Sequence, residues 1–149
     1  MSNEIESNVR YQCKKTRVAV DHQYLNELEQ YFGHDNESTI EKLQNFPKYV
    51  PQKNIISFLS RNEVFKQILN IHGNIFECGV LFGGGLMSWA HFSAIYEPIN
   101  LTRKIVGFDT FEGFPGKHEN DSDFGEKGDF ASHSYEDLQE CARIYDLLR

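Results

Sequence analysis

Cysteine is scarce and unpatterned in this 149-residue chain: Cys13, Cys78 and Cys141 stand far apart, odd in total and without a CxxC pair. That excludes a disulfide framework and a cysteine-held zinc site, and it suits a reducing compartment. Long apolar runs are missing too. The longest, Gly79 to Ile95, carries four glycines and His91 and falls short of a membrane span. Residues 1–17 are polar and charged, so no secretory leader is expected, and the sequons at Asn36, Asn100 and Asn120 mean little without one. Positive charge is in deficit, with 15 Lys and Arg against 22 Asp and Glu and a net charge of −7. A basic face for phosphates is therefore lacking, which argues against nucleic acid and anionic membranes as partners. Internal repeats and low-complexity tracts are absent. The expectation is one cytoplasmic domain.

What is present begins with helix signals. Residues 1–20 show no stable period and are read as a loose N-terminal arm. From Asp21 to Phe32, Leu25, Leu28 and Phe32 share one helical face, and Gly33 is placed to end it. Ser38-Thr-Ile-Glu41 has the spacing of a capping box, and the helix it opens should stop at Pro47. Ser60-Arg-Asn-Glu63 repeats that spacing ahead of Val64, Phe65, Ile68 and Leu69, with Gly73 as a stop. Residues 21–73 thus read as an N-terminal helical extension.

The period then changes. Asn74 to Val80 is a short apolar run interrupted by Glu77, Leu86 to Ile95 returns to helical spacing, and Lys104 to Phe108 is a second β-prone run closed by Asp109. Strand, glycine turn, helix and strand make one βαβ unit, whose crossover should be right-handed with parallel strands. Ser134-Tyr-Glu-Asp137 opens a last helix with the stripe Leu138, Cys141, Ala142, Tyr145 and Leu148. The fold class is α/β and Rossmann-like. Residues 74–149 are expected to form the first half of such a domain, ending before a third strand.

Chemistry concentrates in Glu77-Cys-Gly79-Val80-Leu-Phe-Gly83-Gly84-Gly85. Glycines there allow a tight turn and close approach of a ligand, and the following helix offers free N–H groups. The spacing is not the GxGxxG of dinucleotide enzymes, and a glutamate just ahead of Gly79 would sit badly beside a pyrophosphate. An ammonium or sulfonium is a better neighbour. Asp109, at the carboxyl end of the second strand, can accept hydrogen bonds from both hydroxyls of a ribose.

Phe76-Glu-Cys-Gly-Val80, the Gly83-Gly84 pair and above all Gly107-Phe-Asp-Thr-Phe-Glu-Gly-Phe-Pro115 resemble the macrocin O-methyltransferase family, class I S-adenosylmethionine-dependent enzymes that include sugar O-methyltransferases of the mycinamicin and novobiocin pathways. The resemblance runs over residues 49–149 and is sharpest over residues 75–115. It implies that Gly79, Gly83 and Gly84 line the methionine part of S-adenosylmethionine, that Asp109 holds the ribose, and that Thr110 and Phe111 flank the pocket; Glu77 and Val80 complete the expected cofactor-binding residues. Tyr49, Val50 and Arg61 fall where N-terminal residues of such enzymes approach the cofactor. Gly85 stands where many relatives carry serine. The resemblance also implies a third strand, an adenine loop and acidic ligands for a divalent metal such as Mg2+, none of which lies in these residues, so no catalytic residue is assigned.

Other polar clusters are decoys on this reading. His118, Glu119, Asp121, Asp123, Glu126 and Asp129 crowd one loop, but Gly125 misplaces the glycine of a calcium loop counted from Asp121. A solvated loop is expected there, and no metal. His91 and His133 read as packing or surface residues, Cys78 as an inert core thiol, and Trp89 as packing against the sheet. The expected activity is methyl transfer to a small-molecule hydroxyl acceptor, for instance on a sugar or glycosylated natural product, with this chain as the cofactor-binding part. The alternatives are a non-catalytic fragment and a nucleotide-binding dehydrogenase domain. A two-stranded sheet on its own leaves an open edge and a bare face, which predicts poor solubility or homo-oligomers.

Overall fold

A computed structural model describes residues 19–114, Gly116 and residues 135–148. The readings of the arm over residues 1–18, of Cys13 and of the acidic loop with His118, Glu119, Asp121, Asp123, Gly125, Glu126, Asp129 and His133 fall outside the described residues, as do Pro115 and Ser134. The chain divides into two compact units, residues 1–35 with 110–132 and residues 36–109 with 133–149.

In the first unit, helix α1 spans Ala19–His34. It runs through Gly33 instead of ending there. One interior glycine costs only about 1 kcal/mol, and the His34 ring, with Nδ1 2.6 Å from the Gln30 carbonyl oxygen, closes the last turn. The segment after residue 109 also belongs to this unit, where the Glu112 N–H donates to Thr110 Oγ1 at 3.4 Å and Phe111 has φ 60°.

The second unit opens with α2 (Thr39–Gln44), whose capping box forms as the spacing requires. The Glu41 N–H donates to Ser38 Oγ at 3.3 Å and the Ser38 N–H to Glu41 Oε2 at 2.8 Å, so the cap holds Glu41 below its ordinary carboxylate pKa. Ser38→Ala should destabilise the chain by about 1 kcal/mol, read as a lower urea midpoint with an unchanged m-value. Pro47 does not end this helix. It sits in the first turn of a short α3 (Phe46–Tyr49), where its missing N–H is no loss.

Helix α4 (Gln52–Gln67) corrects the second capping assignment. Pro51 stands at its start, so Ser60 and Glu63 fall mid-helix, where backbone donors are already bonded within the helix. Glu63 instead accepts from Lys66 Nζ at 2.7 Å on the surface.

Strand β1 (Ile75–Cys78) and β2 (Ile105–Phe108) pair in parallel, with Ile75 opposite Ile105 and Glu77 opposite Gly107. Helix α5 (Gly84–Tyr96) connects them and packs between the sheet and α4. The core lies at that α4–α5 contact. Phe65 is fully buried, and its ring lies 5.9 Å from that of Phe92 and 6.1 Å from that of Tyr96. Helix α6 (Tyr135–Ile144) carries the expected apolar stripe through Leu138, Cys141 and Ala142, all half-buried. Tyr145 and Leu148 lie past its end and are exposed, Tyr145 still meeting the His91 ring edge-on at 5.8 Å. Among the described residues, no helix is long and apolar enough to cross a membrane.

The amino ends of the strands are pinned by a pair that the sequence reading missed. Arg103 and Glu97 are both buried, joined at 2.7 Å through Nε and Oε2 and at 3.0 Å through Nη2 and Oε1. The same guanidinium donates to the carbonyls of Ile68, Ile71 and Gly73, closing the turn that leads from α4 into β1.

Candidate functional site

The carboxyl ends of β1 and β2 meet the glycine loop that leads into α5. The Gly79 N–H continues the ladder by donating to the Phe108 carbonyl at 2.9 Å. The chain then passes through three left-handed residues, Gly79 (φ 82°), Leu81 (φ 53°) and Gly83 (φ 81°). For Leu81 this conformation is strained, by about 1–2 kcal/mol. Its N–H donates to Asp109 Oδ2 at 2.9 Å, so the aspartate that closes β2 also fixes the loop that closes β1. Gly83 must be glycine twice over. Its φ favours no side chain, and a Cβ there would overlap Leu138 Cδ2 of α6.

Glu77 lies on the sheet face turned toward α5. On that face Val80 and Leu86 fill the space beside Gly107, its partner in the register. Its carboxylate reaches beneath the start of α5, so that a Cβ on Gly85 would overlap Glu77 Oε1. A serine at Gly85 would therefore displace Glu77. Burial pushes the Glu77 carboxyl above its ordinary pKa of 4.5, while the Arg61 guanidinium and the Trp89 indole N–H act in the opposite sense. Its Oε2 is buried without a hydrogen-bond partner among the described residues.

A carboxyl with a raised folded-state pKa binds more protons folded than unfolded. Stability accordingly falls as the pH rises from about 4.5 through the raised value, and stays low above it. Glu77→Gln should remove that fall. Its melting temperature should exceed the parent's at pH 7 and match it near pH 4, as thermal melts at the two pH values will read.

The eight expected cofactor residues are thus placed differently from one another. Glu77 and Asp109 flank the loop, and nothing lies within 4 Å of a Cβ built on Gly79 or Gly84. Val80 is buried, so only its backbone can face a ligand; Gly83 is covered by Leu138. Thr110 and Phe111 belong to the other unit. Of the N-terminal candidates, Tyr49 is buried, with its hydroxyl donating to Glu37 and accepting from Lys48 Nζ at 2.9 Å. Val50 is half-buried. Arg61 donates to Ser57 Oγ at 2.8 Å and acts on Glu77 through its charge.

Two expectations need correction or extension. Cys78 is exposed, not a core thiol, because no helix among the described residues covers its face of the sheet. Trp89 meets the Phe92 ring edge-on at 6.3 Å, and its indole also acts to lower the Glu77 pKa against the effect of burial. A cavity of about 270 Å³ lies at the other end of the strands, lined by residues 69–73 with Asn100, Thr102 and Arg103. Arg103 is already engaged there by Glu97 and three carbonyls, so the cavity belongs to the structural clamp. Among the described residues no group of His, Cys, Asp and Glu is arranged to hold a metal ion.

A glycine bend flanked by Glu77, whose buried Oε2 has no hydrogen-bond partner among the described residues, and by a second carboxylate suits a positively charged nucleoside better than a diphosphate. Solved structures of a methyltransferase are similar to this chain. The chain is similar to the calicheamicin methyltransferase CalS11, with a TM-score of 0.69 and 28% identity over 88% of this chain and 50% of that one. It is also similar to the apo structure of CalS11, described as a TDP-rhamnose 3'-O-methyltransferase of calicheamicin biosynthesis, with a TM-score of 0.57 and 32% identity over 64% of this chain and 40% of that one. The neighbour is an O-methyltransferase. The βαβ unit and its helices fit the α/β class I methyltransferase fold, and the chain spans about half the length of the solved chain it matches. No family model and no curated protein matches the chain.

Proposed function

We propose that this chain is the cofactor-binding part of an S-adenosylmethionine-dependent O-methyltransferase whose acceptor is a hydroxyl of a sugar or glycosylated natural product. The observation that carries the reading is Glu77 Oε2, a buried carboxylate oxygen without a hydrogen-bond partner among the described residues, beside a glycine bend with no described residue within 4 Å of a Cβ built on Gly79 or Gly84. A buried unsatisfied anion is costly, and a cation that completes it is stabilised in return. The neighbour's chemistry and the string from Gly107 to Phe114 support the same class, with the macrocin-type sugar O-methyltransferases as the finer assignment.

When bound, S-adenosylmethionine supplies an electrophilic methyl group for transfer to oxygen. Glu77 would face the positive charge of its methionine part, with Arg61 and Trp89 holding that carboxylate in place. Asp109 would accept from the ribose hydroxyls while keeping Leu81 in its left-handed bend. Gly79 and Gly84 would leave room for the ligand's close approach. Acceptor deprotonation and any Mg2+ would fall to residues other than these, and the protein would act in the cytoplasm.

Calorimetric titration of the chain with S-adenosylhomocysteine and, separately, with NAD tests the reading. Saturable binding of the first and none of the second is expected. Binding of NAD alone would favour the dehydrogenase class and overturn it.

A further inference from the structure

Gly79 and Gly83 are glycines because their backbone is left-handed, but Gly85 lies outside that region. It is the second residue of α5 and is buried, and alanine would favour the helix more there. What a side chain would meet is Glu77. A Cβ on Gly85 would lie 2.8 Å from both Cδ and Oε2 of that residue and would overlap its Oε1, and these are the three nearest atoms. Two costs thus meet at one point, a poor helix former at the head of a helix and a desolvated carboxylate whose Oε2 has no partner among the described residues. The Arg61 guanidinium from α4 and the Trp89 indole from α5 favour the ionised carboxylate, and burial opposes it. From β2 the residue opposite Glu77 is Gly107, beside Val80 and Leu86. Local rules broken without a structural return are expected at functional sites.

We propose that Gly85 is a positioning residue: the space left by its missing side chain sets the Glu77 carboxylate where it meets the positive charge of a ligand in the glycine bend. Gly85 thereby selects for ligand charge without touching the ligand. The carboxylate is the free end of a flexible side chain, so a Cβ on Gly85 moves it and leaves the fold intact. A Cβ on Gly79 or Gly83 would instead strain the backbone. The inference rests on the methyl-donor reading of the site, but the pairing of Gly85 with Glu77 shows itself without any ligand. A Glu77 carboxylate pushed into water loses its burial, and with it the fall in stability between pH 4 and pH 7.

Parent and Gly85→Ala are titrated calorimetrically with two ligands. S-Adenosylhomocysteine carries an ammonium on its amino-acid end, and 5′-methylthioadenosine is the same thionucleoside without charge. Gly85→Ala should weaken the first about tenfold, the loss of one charge-assisted hydrogen bond, and leave the second unchanged. In a Glu77→Gln background the same substitution should cost nothing further, as a coupled pair requires. Unchanged affinity for S-adenosylhomocysteine, equal weakening of both ligands, or a full further loss on top of Glu77→Gln would overturn the proposal. Thermal melts at pH 4 and pH 7 form the second arm. Gly85→Ala should remove the same difference between the two melting temperatures that Glu77→Gln removes, and the double variant should remove no more. A Gly85→Ala protein that keeps the parent's difference would overturn the pairing whatever it binds. A parent that binds neither ligand would overturn the methyl-donor reading and the ligand half of the proposal, while the melts still decide the pairing.

Discussion

Asp109→Ala should weaken S-adenosylhomocysteine binding about 10- to 100-fold, the loss expected when a charged acceptor of ligand hydroxyls is removed. Two losses combine in this variant. On the proposed reading the ribose loses its acceptor, and the Leu81 N–H loses the carboxylate that holds its strained φ of 53°. Asp109→Asn should fall between parent and alanine, because its side-chain oxygen can still accept from Leu81 but without charge. Calorimetry gives both affinities, and circular dichroism confirms that the variants fold. An unchanged affinity in Asp109→Ala would remove the aspartate from the site.

The largest effect on stability is expected at the other end of the sheet. Arg103→Met should destabilise the chain by about 3–5 kcal/mol, because it leaves Glu97 buried and uncompensated. Arg103 also holds the carbonyls of Ile68, Ile71 and Gly73, so the turn before β1 loosens in the same variant. A domain's whole stability is about 5–15 kcal/mol, so the chain should be partly unfolded at growth temperature. The double variant Arg103→Met with Glu97→Leu should recover part of the loss, since no buried charge then remains. Thermal melts of the single and double variants read both. Equal melting temperatures for parent and Arg103→Met would show that the clamp contributes little.

The parts of this molecule legible in its sequence are those set by local rules. The Ser38–Glu41 box depends on four consecutive residues, and the switch from helical spacing to short apolar runs marks β1, α5 and β2. The glycine bend and the two acids beside it follow from the same local logic. Ser60–Glu63 misleads because a capping box has meaning only at a helix end, and Pro51 had already started that helix. Arg103 and Glu97 were invisible for a different reason. A charged pair six residues apart reads as surface until the fold encloses it, and three of the acceptors lie about thirty residues earlier in the chain. Cys78 was misjudged because β-strand alternation tells which residues share a face, not whether anything covers it.

The central claim is that Glu77 and Asp109 bracket one cradle floored by the glycine bend. Amide chemical shifts of the 15N-labelled chain during titration with S-adenosylhomocysteine test it most directly. The account predicts that Gly79, Leu81, Gly83 and Gly84 move together and saturate at one concentration, while Ile68, Ile71 and Gly73 at the Arg103 clamp stay still. Saturation that leaves the four loop amides unmoved, or that shifts the clamp instead, would contradict it.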